Sequence, residues 1–65
     1  MSRDIFSIKV LVVEDFATTR KIQIHSLKKM GFSNIIEADD GESAIRKISE
    51  EGDIGLIISD WNMPK

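Results

Sequence analysis

The sequence predicts an α/β fold, β-α-β-α-β, whose three strands lie parallel in one sheet. Three observations carry that prediction. Two short apolar runs rich in β-branched residues, Ile8-Lys9-Val10-Leu11-Val12-Val13 and Ile54 to Ser59, each end directly on carboxylates, Glu14-Asp15 and Asp60. Between them lie two segments with helical character, closed by Gly31 and Gly52. A third brief apolar run, Ile35-Ile36-Glu37-Ala38, separates those segments. Strands that alternate with helices of this length need crossover connections, which are right-handed and give a parallel sheet.

In chain order, Ile8 to Val13 is the first strand. Ala17 to Met30 reads as a helix: Asp15 or Thr18 is the expected cap at its start, Lys28 and Lys29 suit the C-terminal dipole, and Gly31 supplies the stop. Ile22, Ile24, Leu27 and Met30 span a broad apolar arc that Gln23 and Ser26 dilute. Phe16 and Phe32 are expected to pack at the helix ends. After the strand Ile35 to Ala38, the turn Asp39-Asp40-Gly41 offers aspartates that can cap a second helix. In that helix Ala44, Ile45 and Ile48 form one apolar face, while Glu42, Arg46, Lys47, Glu50 and Glu51 take the exposed remainder. The last strand, an unbroken apolar run before the single proline Pro64, reads as buried on both faces.

A chain of 65 residues is one small domain at most, and near that size only about 60% of the unfolded surface is buried on folding. Without cysteine, neither a disulfide nor a thiolate zinc site can add stability. The N-terminus has no signal-peptide core, and no segment approaches the roughly 18 apolar residues of a membrane span. A cytoplasmic location is therefore expected. The net charge is −2 and the 9 Lys and Arg residues are scattered rather than gathered in a stripe, which argues against a direct nucleic-acid partner.

In open α/β sheets ligands and chemistry collect at the carboxyl ends of the strands. With the strands in the order 2-1-3, the first and third are neighbours, and Glu14, Asp15 and Asp60 converge on one rim. Three carboxylates at close range repel one another unless a cation neutralises them. With only oxygen ligands at hand, Mg²⁺ is favoured over zinc, with Mn²⁺ and Ca²⁺ as alternatives. A carboxylate beside such an ion can also attack phosphorus and form an aspartyl-phosphate.

Val12-Val13-Glu14-Asp15, the Asp39-Asp40-Gly41 turn and Ile58-Ser59-Asp60-Trp61-Asn62-Met63-Pro64 resemble the receiver domains of two-component response regulators, above all the stand-alone chemotaxis regulators. The resemblance runs along essentially the whole chain. It implies a flavodoxin-like doubly wound fold in which Asp60 is the phosphoacceptor, taking a phosphoryl group from a histidine kinase. It further implies that Asp15 ligates Mg²⁺ directly, that Glu14 acts mainly through bound water, and that Asn62 offers its backbone carbonyl to the ion. Met63-Pro64 would shape the loop, with Trp61 partly exposed beside the site. Glu14 stands where the chemotaxis regulators usually carry aspartate, which leaves metal binding intact and alters its fine geometry. Flagellar motor proteins or other downstream targets would be the output partners.

Receivers also supply a hydroxyl residue after a fourth strand and a lysine after a fifth, and the sequence has no counterpart for either. The expectation is therefore the N-terminal half of a receiver, residues 1–65, impaired as a switch. The third strand would present an open edge that invites a homodimer or larger assembly. Self-association without signalling is the alternative reading. A dedicated enzyme is not expected: phosphohydrolases with an aspartate nucleophile after the first strand use Asp-x-Asp, and Asp15-Phe16-Ala17 lacks the second acid.

Overall fold

The computed structural model describes residues 5–59. After a 3₁₀ turn at Ile5–Ser7 come β1 (Lys9–Val13), α1 (Ala17–Met30), β2 (Ile35–Ala38), α2 (Gly41–Glu51) and β3 (Ile54–Ser59). The strands are all parallel, in the order β2-β1-β3, as the alternation of elements requires. β1 is the spine of the molecule: Val10, Leu11 and Val12 are fully buried. Because successive strand residues point to opposite faces, Val10 and Val12 pack with Leu27 of α1. Leu11 packs with Ala38 and with Ala44 of α2. Each helix thus covers one face of the sheet.

Several packing expectations are corrected. Neither Asp15 nor Thr18 caps α1; Phe16 occupies the N-cap position without a side-chain hydrogen bond, and the residue is 69% exposed. The apolar arc of α1 is narrower than its sequence suggests, since Ile22 and Met30 are exposed while Leu27 and Ile24 face the core. In α2 only Ala44 is buried, while Ile45 is 70% and Ile48 40% exposed. β3 is not buried on both faces: among the described residues it is an edge strand, and Ile57 is half exposed.

The element boundaries have local causes. Gly31 adopts φ 119°, and the amides of Gly31 and Phe32 donate back to the carbonyls of Lys28 (3.0 Å) and Leu27 (3.1 Å), closing α1 in a Schellman motif. The Phe6 ring sits against Gly31 and meets Phe32 edge to face, with centroids 5.0 Å apart. At the start of α2, Asp40 Oδ1 accepts from the Ser43 amide at 2.7 Å, as the Asp-Asp-Gly turn predicts. At its end, Lys9 Nζ donates to the Glu51 carbonyl at 3.0 Å, tying the helix to the start of β1. Gly55 lies within β3, where the ladder shifts register: Lys9 stands opposite Ile54, but Val10 stands opposite Leu56. A Cβ at Gly55 would come within 3.0 Å of Ile8 Cβ. The extra residue explains how Ile54 and Ile58, four positions apart, pack on opposite faces of the sheet.

Candidate functional site

At the carboxyl rim β1 and its two neighbours end level, with Val13 opposite Ala38 of β2 and opposite Ser59 of β3. Glu14 comes next. Its N–H donates to the Ala38 carbonyl at 3.0 Å, which carries the ladder one residue past the strand and holds the side chain down into the rim. The residue is only 6% exposed. One carboxylate oxygen, Oε2, accepts from the Phe16 amide at 3.1 Å; this bond binds the turn into α1 that neither Asp15 nor Thr18 caps. The other, Oε1, is buried with no hydrogen-bond partner among the described residues. A buried carboxylate oxygen left unpaired is costly, and a cation or a bound water removes that cost. The donor set therefore fits a hard divalent ion better than it fits an apolar core.

Asp15 follows as an exposed residue on the same turn. The remaining members of the expected set, Asp60 and Asn62, lie outside the described residues, as do Trp61, Met63 and Pro64. Among the described residues no group of three or more His, Asp or Glu side chains stands ready to hold a metal; Glu14 and Asp15 form a pair. His25 is an exposed residue of α1.

Sequence reasoning passed over Arg20. From the first turn of α1 its guanidinium reaches over the rim, where Nη1 donates to the Glu14 carbonyl at 2.6 Å and Nε to Glu37 Oε1 of β2 at 2.9 Å. Arg20, Glu37, Ala38, Asp39 and Ser43 line a shallow depression beside the acidic turn. The available signal was position: a basic residue one turn into a helix that springs from a strand-end carboxylate pair lies above that pair.

No helix among the described residues is long and apolar enough to cross a membrane. Comparison with known proteins gives a consistent picture. The response regulator receiver domain matches residues 10–65. The chain is 43% identical over 58 residues to the chemotaxis protein CheY-3 of Vibrio cholerae serotype O1, a match covering 89% of this chain and 44% of that protein. It is likewise 43% identical over 56 residues to the chemotaxis protein CheY of Pseudomonas aeruginosa, covering 86% of this chain and 44% of the relative. The chain thus spans less than half the length of these relatives. A parallel sheet in the order 2-1-3, an acidic turn closing its central strand and a family match along most of the sequence agree: the chain belongs to the response regulator receiver domain family.

Proposed function

We propose that this chain is a phosphoacceptor unit of two-component signalling, in a chemotaxis pathway, with Asp60 taking a phosphoryl group from a histidine kinase. The observation that carries the reading is the Glu14 carboxylate, buried at the end of β1 with Oε1 unpartnered among the described residues, where β3 ends level at Ser59. Asp60 is the next residue of the chain after Ser59. In the proposed transfer an Asp60 carboxylate oxygen bonds to phosphorus as the bond from phosphorus to the kinase histidine nitrogen breaks. Asp15 and Asp60 would ligate Mg²⁺, Glu14 would hold it mainly through water, and the Asn62 backbone carbonyl would complete the protein's share. When bound, the ion neutralises charge on the transferring group. The chain's role is regulatory, as that of its family is, and the kinase and a downstream target such as the flagellar motor are its proposed partners.

The test is incubation of the full chain with a small phosphodonor and Mg²⁺, followed by mass spectrometry. A phosphoryl adduct that is absent without metal and absent in Asp60→Asn supports the reading. An adduct that survives Asp60→Asn sinks it.

A second reading draws on β3, whose outer edge has no strand partner among the described residues and whose Leu56 and Ile57 are 39% and 50% exposed. Unpaired strand edges recruit other chains. We infer self-association of the 65-residue chain through this edge, to be read by sedimentation over a concentration series. A single monomeric species throughout would rule it out.

A further inference from the structure

Arg20 occupies a place the sheet leaves open. The Glu14 N–H still bonds to the Ala38 carbonyl of β2, and the Glu14 carbonyl lies on the same side of the strand. A continuing parallel ladder would give that carbonyl an amide from β2. But β2 ends at Ala38, and Asp40 turns away to become the N-cap of α2. The Arg20 guanidinium supplies the donor instead, at 2.6 Å, while Nε stays bound to Glu37 Oε1 at 2.9 Å and the side chain is only 18% exposed. A planar fork held on acceptors from two strands is a rigid crosslink, which an ammonium group with its point charge does not reproduce.

We propose that Arg20 is a positioning residue of the acidic site. The Glu14 carbonyl belongs to the planar peptide unit that joins Glu14 to Asp15. Fixing its direction therefore fixes the amide of Asp15 and the angle at which the two carboxylates leave the chain. The bond from the Phe16 amide to Glu14 Oε2 closes the turn from the other side. Among the described residues, Arg20 alone contributes a side chain from outside the 14–16 turn to the hydrogen bonds that hold it. This inference rests on the proposed metal site, whose ligands Arg20 would orient without touching the ion.

The experiment uses the full chain and two readouts. Mg²⁺ and Mn²⁺ binding are measured by calorimetry and by electron paramagnetic resonance for the wild type, Arg20→Met, Arg20→Lys and Glu37→Ala. Amide exchange at Phe16 is followed in the metal-free proteins by NMR. Loss of groups that orient metal ligands typically lowers affinity roughly 10- to 100-fold, and a loss of that size is expected for Arg20→Met. Arg20→Lys should fall between it and the wild type, since one ammonium can serve the carbonyl but not both acceptors with the same geometry. Glu37→Ala, which leaves Arg20 in place but frees one end of the crosslink, should lose affinity in part. Phe16 exchange should speed up in Arg20→Met.

Lys9→Met removes the bond to Glu51 at the opposite end of the sheet and serves as a control for general destabilisation. It should leave metal affinity unchanged. Folded Arg20→Met that binds metal as the wild type does, or that loses no more than Lys9→Met, overturns the proposal, as does unchanged Phe16 exchange. If instead the wild type binds no ion, or Asp15→Asn binds as well as the wild type, the proposed function fails with its metal site. The Phe16 measurement would still report on the crosslink by itself.

Discussion

Glu14→Gln should make the metal-free chain more stable and the metal-loaded chain less so. In the folded protein Glu14 is 6% exposed, one carboxylate oxygen is satisfied by the Phe16 amide, and the other is buried without a partner among the described residues. An unsatisfied buried polar group costs about 1–3 kcal/mol, more when it is charged. A glutamine keeps an acceptor for the Phe16 amide and replaces the charged oxygen with a neutral group that is less expensive to desolvate, so a gain of about 1 kcal/mol is expected. For a domain of this size that raises the melting temperature by about 4–8 °C. An ion present at 100 times its dissociation constant adds about 2.7 kcal/mol to the state that binds it. If the amide abolishes binding, saturating Mg²⁺ puts the wild type ahead by about 1–2 kcal/mol. The assay is thermal unfolding by circular dichroism, in EDTA and across a Mg²⁺ series, for both proteins. The two curves of melting temperature against metal should cross. A variant less stable than the wild type in EDTA, or parallel gains from Mg²⁺ in both, would refute the view that the buried oxygen is kept for a cation.

Two further outcomes test the local structure. Asp40→Ala removes the bond from the Ser43 amide to the cap of α2 and should lower stability in urea by about 1 kcal/mol, with Asp40→Asn close to neutral. Gly31→Ala forces an L side chain into φ 119° with the Phe6 ring 3.4 Å from the new Cβ, so a loss of about 1–3 kcal/mol is expected from the strained backbone. An unchanged urea midpoint would mean that the Schellman closure of α1 is not held as described.

The order of elements was legible because its signals are local. Gly31, Gly52 and the Asp39-Asp40-Gly41 turn act within a few residues of themselves, and the structure places the helix ends and the second strand where those residues put them. Features that depend on a neighbour across space were not legible. Phe16 is 69% exposed, and the turn's amide is taken by Glu14, a residue the sequence offers only as a ligand. Arg20 is one of several scattered cations until the end of β1 and Glu37 of β2 are brought to it. Leu56 and Ile57 read as interior residues, but their burial depends on what flanks β3 and not on their own hydrophobicity. At the site, the pairing of Glu14 with Asp15 was evident from adjacency. That Glu14 is the buried member and Asp15 the exposed one follows from the pleat and from the Ala38 bond.

The irregularity at Gly55 acts as a spatial frameshift. Had β3 run on evenly from the pairing of Lys9 with Ile54, Val13 would face Ile58, and a serine hydroxyl would come level with Glu14. Because one residue is absorbed between Ile54 and Leu56, Val13 faces Ser59 instead. A single missing side chain, which leaves room for Ile8 near the amino end of the sheet, thus sets which residue of β3 stands level with the end of β1.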